Sequence, residues 1–237
     1  MNQDRRDHVV KSFDADLAQL NRDVVRLGNH AAQQLDEALA ALGHGDAAAA
    51  GRVVAGDAAL DAQEQRINEA VLRLLALRQP MARDLRAVLS ALRIAADLER
   101  IGDHAVNVAR RAVSAASSSA GPPATGLLSM GRLAQQMLRD AVRACGLRDA
   151  ALARDVWLRD DELDALYLTL FRELLTYMME DPRTITRCTE LLFVAKDLER
   201  IGDYTTNVAE DIWFVVHGTA LPAQRGPLPA APAGPPE

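Results

Sequence analysis

Residues 97–109 read DLERIGDHAVNVA, and residues 197–209 read DLERIGDYTTNVA. Ten of these thirteen positions are identical. Read at helical spacing, Leu98, Ile101, Ala105 and Val108 form one apolar line, while Glu99, Asp103 and Asn107 recur at i, i+4, i+8 on another. Glu199, Asp203 and Asn207 repeat the polar line. The stretch is thus an amphipathic helix carrying closely spaced like charges and a glycine, and the chain has it twice.

The repeat extends outward from this stretch. LGNHAAQQL around Gly28 parallels MGRLAQQML around Gly131, DAALD at 57–61 parallels DDELD at 160–164, and Pro80 parallels Pro182. The landmarks keep their order, at offsets of 100 to 103 residues. A duplicated three-helix unit follows. Apolar residues elsewhere also recur at three and four, and β-branched alternation is nearly absent. Helices are predicted over 9–42, 46–77, 82–116, 127–147, 149–180 and 183–217. They are punctuated by Gly43 and Gly45, Gln79-Pro80, the small-residue stretch SAASSSAGPPATG and Asp181-Pro182. The fold class is all-α: two tandem, pseudo-symmetric three-helix bundles, joined end to end or side by side. The first bundle is assigned to 1–113, a flexible linker to 114–126, the second bundle to 127–217, and a disordered Pro/Gly-rich tail to 218–237.

Composition narrows the function. The chain has 237 residues, 49% of them hydrophobic, enough for a sizeable core. It carries 27 basic and 33 acidic residues, a net charge of -6, with only 4% aromatics, which argues against non-specific nucleic-acid binding. No run approaches the roughly 18 apolar residues of a membrane span, and no apolar signal core follows the N-terminus, so a cytoplasmic protein is expected. Cys145 and Cys188 lack metal-type spacing and read as buried reduced thiols.

The acidic lines are the candidate site. Glu99 with Asp103 is matched by Asp57 with Asp61 on the preceding helix; Glu199 with Asp203 is matched by Asp160 with Asp164. If the second and third helices of each unit are neighbours, four carboxylates converge in each half, a donor set for hard or borderline cations. Solvated carboxylates neutralised by Arg100 and Lys196 are the plainer alternative, but two near-identical copies favour metal. Gly102 and Gly202 suggest close approach of a backbone or ligand, or tight helix packing. Asp97/Arg100 and Asp197/Arg200 either orient the acidic line or pair between helices. His104 is replaced by Tyr204 and is not a repeated ligand; His8, His30, His44 and His217 read as surface or packing residues. No phosphate loop, nucleophile elbow or E-x-x-H pair is present.

Taken together, RQPMARDLRAVLSALRIAADLERIGDHAVNVA (78–109) and DPRTITRCTELLFVAKDLERIGDYTTNVAE (181–210) resemble the PhoU family, the accessory and regulatory proteins of bacterial phosphate-specific transport. The resemblance spans about residues 9–217. It implies two pseudo-symmetric three-helix bundles whose E(D)-x-x-x-D motifs bind metal. These motifs fall here on Asp57, Asp61, Glu99, Asp103, Asp160, Asp164, Glu199 and Asp203, with Asn107, Asn207, Arg100 and Arg200 as possible supporting residues. The cofactor expected is a divalent or trivalent metal ion (Mg, Mn, Ca, Fe or Zn). The partners implied are the ATPase subunit of the phosphate ABC transporter, a phosphate-sensing histidine kinase and a second copy of the chain. No nucleic acid is expected, and a membrane is met only through partners. The expected role is non-enzymatic: an adaptor that restrains phosphate uptake and the starvation response when phosphate is plentiful. The rival reading is a metal-dependent hydrolase on a helical bundle.

Overall fold

The structure, a computed structural model, describes residues 2–116 and 125–222. The described residues are all helical apart from short turns. The helices are α1 (Asn2–His44), α2 (Ala47–Arg78), α3 (Ala82–Ala116), α4 (Thr125–Leu147), α5 (Ala150–Leu158), α6 (Asp160–Glu180) and α7 (Ile185–His217). Most of the predicted linker, residues 117–124, and most of the predicted tail, 223–237, lie outside the described residues.

The breaks follow local chemistry. Gly45, at φ 65°, turns the chain after α1, and the Asp46 carboxylate caps α2 by accepting from the Ala48 and Ala49 amides at 2.9 and 3.0 Å. Gln79 closes α2 in the left-handed region just before Pro80. Asp149 caps α5 through the Leu152 amide. Pro182–Thr184 forms a single 3₁₀ turn in front of α7, and Gly218, at φ 74°, ends that helix with its N–H on the Phe214 carbonyl.

One predicted helix is interrupted. The segment 149–180 breaks at Arg159, whose N–H bonds back only three residues, to the Val156 carbonyl. Two forces act there. The Arg159 guanidinium is drawn to Asp140 on α4, at 2.6 Å, and Asp160, Asp161 and Glu162 form an acidic first turn that suits a new helix N-terminus. Gly56, at the same repeat position, stays inside a continuous α2.

The two halves lie side by side, related by a pseudo-twofold axis. α1 runs antiparallel to α4, and α3 antiparallel to α7. At the first pair the repeat contact occurs twice: Gly28 faces Val142, and Gly131 faces Leu39, residues that are each other's equivalents. A Cβ on either glycine would meet the facing side chain, so these positions set how closely α1 and α4 approach. The core does not divide at the repeat boundary. Leu27, Leu35, Leu98 and Ile101 of the first half form one continuous apolar cluster with Met130, Met137, Leu191 and Leu198 of the second. Both cysteines are buried and unbridged, and burial pushes the Cys145 thiol up to about 11.

Candidate metal sites and the central seam

α2 packs on α3, and α6 on α7, because each presents an apolar stripe to the other. In both places a leucine of the second helix sits in the notch made by the motif glycine: Leu60 over Gly102, and Leu163 over Gly202. A Cβ at Gly102 would stand 2.8 Å from Leu60 Cδ2, and one at Gly202 would clash harder with Leu163. Tight helix packing therefore accounts for the repeated glycine, and it brings the acidic lines of the two helices onto a common edge.

In the first half, Asp57, Asp61, Glu99 and Asp103 share that edge. Burial, then the charges of Asp61 and Asp103, hold the Asp57 carboxyl above its usual range, against the field of Arg110. Burial and then Asp103 do the same to Glu99, with Asp61 and Glu64 adding to it and Arg100, 3.7 Å from Glu99, opposing. In the second half, burial and Glu199 raise the Asp164 carboxyl. Burial, Glu199 and Asp164 raise that of Asp203. Asp160 lies beside Gly202, its Oδ1 3.7 Å from where a Cβ would stand.

All eight predicted carboxylates are thus on the edges where the repeat places them. Among the described residues, no three His, Cys, Asp or Glu side chains close on a single point tightly enough to hold an ion as they stand. The donors are nonetheless all carboxylate oxygens. Asp57 Oδ1 is buried with no hydrogen-bond partner among the described residues, the condition of a ligand atom that awaits a positive partner. The donor set fits a hard cation.

The supporting residues divide. Arg200 stays with the second site, 3.5 Å from Asp203, as Arg100 stays with the first. Asn207 does not join its acidic line; its side chain bonds Asp97 across the halves. The reason is helical drift. Each i+4 step turns about 40°, so a residue at i+8 has rotated about 80° from Glu199. Asn107 is half-buried at the matching place on α3.

That rotation leads to a polar seam between α3 and α7, which decides between the two readings of Asp97 and Asp197, orienting the acidic lines or pairing between helices. Ser90, Asp97, His104 and Arg111 repeat every seven residues on α3, and Glu190, Asp197, Tyr204 and Asp211 do so on α7. His104 Nδ1 lies 2.9 Å from Asp197 Oδ1, Arg93 donates to Asp211 at 3.1 Å, and Arg111 donates to Glu190 at 3.3 Å while lying over the Phe193 ring. Burial, then the neighbouring Asp211, push the Asp97 carboxyl up to about 6, and burial raises Asp211 too. Asp97 and Asp197 pair between helices rather than orienting the acidic lines.

Sequence reasoning missed Glu64 and Gln34. Glu64 stands one turn beyond Asp61 on α2, a spacing that pointed to it. Gln34 gave no signal: it is one polar residue in the apolar stripe of α1, only 4% exposed.

A duplicated helical bundle with an acidic edge in each half defines the class of protein; no helix among the described residues is long and apolar enough to cross a membrane. A family model, the PhoU domain, matches the chain twice, at residues 24–112 and 127–212. The chain is 48% identical over 221 residues to a phosphate-specific transport system accessory protein PhoU homolog of Xylella fastidiosa, covering 93% of this chain and 92% of that protein. It is 47% identical over 223 residues to the homolog of the same name in Caulobacter vibrioides, covering 94% and 97%. Its fold matches the crystal structure of PhoU from Pseudomonas aeruginosa with a TM-score of 0.85 at 38% identity, over 87% of this chain and all of that one. It matches the phosphate transport system regulatory protein PhoU from Streptococcus pneumoniae with a TM-score of 0.82 at 30% identity, over 89% and 99%. The chain belongs to the PhoU family.

Proposed function

We propose that this protein is a metal-binding accessory regulator of phosphate transport that works as an adaptor and transforms no substrate. The observation that carries the reading is the paired acidic edge, present once in each half and built from α2 with α3 and from α6 with α7. The relatives' names, accessory and regulatory proteins of phosphate transport, support the role and favour it over a metal-dependent hydrolase.

Asp57, Asp61, Glu99 and Asp103 would hold a cation in the first half, and Asp160, Asp164, Glu199 and Asp203 in the second. A bound cation would supply charge neutralisation, fixing the relative position of the two helices of each edge. The residues themselves do the rest: the carboxylates gather, Arg100 and Arg200 steady them from the rim, and the edge takes one shape. In that shape the protein docks on the ATPase subunit of the phosphate ABC transporter and on a phosphate-sensing histidine kinase, in the cytoplasm, as a homodimer. When phosphate is plentiful the docked protein restrains uptake and the starvation response.

The test is elemental analysis of purified protein before and after chelation, for wild type and for Asp103→Ala/Asp203→Ala, with pull-down of the ATPase subunit by each. Metal bound by the wild type and lost with partner binding in the variant is expected. Equal metal content in both proteins would sink the site assignment; partner binding indifferent to metal would sink the adaptor role of the edge.

A further inference from the structure

The two acidic edges are equivalent in position but not in charge. At the repeat offsets, Glu64 of the first half becomes Tyr167 in the second, and Ala96 becomes Lys196. The two replacements meet in space. Lys196 Nζ lies 2.5 Å from Glu199 Oε2 and 5.4 Å from the centre of the Tyr167 ring. The second edge therefore contains an ammonium ion on one of its own carboxylates, where the first edge has an alanine methyl. Arg100 and Arg200 are common to both and cancel in the comparison. Arg110, further along α3, acts on Asp57 but offers no comparable pair.

A second difference lies behind the first edge. The Gln34 carboxamide sits in the gap that Gly56 and Gly102 open between α2 and α3. A Cβ at Gly102 would stand 2.9 Å from its Oε1, and one at Gly56 would stand 3.4 Å from its Nε2. These glycines immediately precede Asp57 and Asp103. Both amide atoms are buried and neither has a hydrogen-bond partner among the described residues, the same condition as Oδ1 of Asp57, the residue after Gly56. A buried amide in this state calls for a polar partner. In the second half the equivalent of Gln34 is Met137, and that of Gly56 is Arg159, so neither the amide nor the gap is repeated.

We propose that the two halves hold metal unequally: the first edge, with Glu64 and the buried Gln34 amide behind it, is the tighter cation site, and at the second edge Lys196 takes the cation's electrostatic place and competes with it. This rests on the metal-binding reading above. Duplication has left one site that binds metal and one whose occupancy is set by an internal lysine. The second edge then responds to metal only at higher concentration.

The experiment is a Mn²⁺ titration of the chelated full-length protein, followed by calorimetry and by the electron paramagnetic resonance signal of free Mn²⁺. Wild type is expected to show two classes of site, separated by about tenfold or more, the size of effect one nearby unit charge exerts at a partly screened edge. Asp103→Ala should remove the tight class and Asp203→Ala the weak one. Lys196→Ala should tighten the weak class toward the strong one, and the reciprocal Ala96→Lys, at an exposed position, should weaken the tight class. Gln34→Met should weaken the tight class by about 10- to 100-fold, the usual effect of losing a supporting hydrogen-bond partner; Ala96→Lys keeps the test decisive if that core variant does not fold. Two equal classes in wild type, or a weak class unmoved by Lys196→Ala, would overturn the inequality while leaving metal binding intact. No Mn²⁺ uptake by wild type or by Lys196→Ala would overturn the metal reading itself.

Discussion

His104 and Tyr204 occupy the same position in the two repeats, and they stack on each other, with ring centroids 5.7 Å apart and planes inclined by 27°. A residue can touch its own repeat counterpart only beside the axis that relates the copies. The pseudo-twofold axis thus passes through the seam of α3 and α7, one residue past the aspartate that ends each DLERIGD. Within the seam the two copies differ in charge. Arg111 of one copy is Asp211 in the other, and each finds an opposite charge across the seam, in Glu190 and in Arg93.

His104 bridges the halves, so its loss should be felt in stability. His104→Ala removes the Asp197 partner and the ring stack, leaving a half-buried carboxylate with the Arg111 guanidinium at 3.5 Å. A loss of about 1–2 kcal/mol is expected from the unsatisfied hydrogen bond, measured by urea unfolding at pH 7. Double-mutant cycles with Asp197→Asn should return most of that as coupling.

The glycines should respond in opposite directions. Gly51 lies inside α2, and a methyl added there would meet nothing within 4 Å, so Gly51→Ala should stabilise by about 0.5–1 kcal/mol through helix propensity. Gly202→Ala gains the same propensity but drives a methyl into fully buried Leu163. Overpacking of about 1–3 kcal/mol exceeds the gain, and a net loss is expected. Thermal melts of the two variants check both signs.

Asp97 makes metal-free stability depend on pH. Its folded pKa, about 6, lies above the unfolded value of 3.8, so the native state holds a proton that the unfolded chain has released between these two values. Stability is therefore lowest above about pH 6 and recovers as pH falls toward about 4. Asp211, shifted in the same direction, acts with it. Asp97→Asn should raise the melting temperature of chelated protein at pH 8 and flatten its rise between pH 7 and 5. An unchanged pH profile would mean the Asp97 charge is fully compensated across the seam.

Metal should stabilise the protein by mass action. At a free Mn²⁺ concentration one hundred times the dissociation constant, about 2.7 kcal/mol is expected per site, seen as a concentration-dependent melting temperature. Chelation should remove it, and Asp103→Ala/Asp203→Ala should not show it. In that variant the relief of repulsion should leave the metal-free form at least as stable as wild type if the truncations open no cavity.

The sequence by itself determined the helices, most of their ends and the duplication. Those depend on signals carried within a few residues: apolar periodicity, Asp46 and Asp149 as caps, Gly45, Pro80 and Pro182 as breaks, and a motif written twice. It also placed all eight carboxylates on their edges, because i, i+4 spacing on neighbouring helices is nearly a spatial statement already. Arg159 broke a helix that periodicity carried through, because its guanidinium is claimed by Asp140 on another helix. Asn207 left its line because a helix turns by about 100° per residue and eight residues are enough to face a different neighbour. The side-by-side placement of the halves, the seam that pairs Asp197 with His104, and the buried Gln34 behind Asp57 and Asp103 were decided only by tertiary structure. Each of these joins residues about 25 to 120 positions apart, whose meeting depends on how closely Gly28, Gly102 and Gly131 let the helices approach, a packing distance that no local pattern encodes.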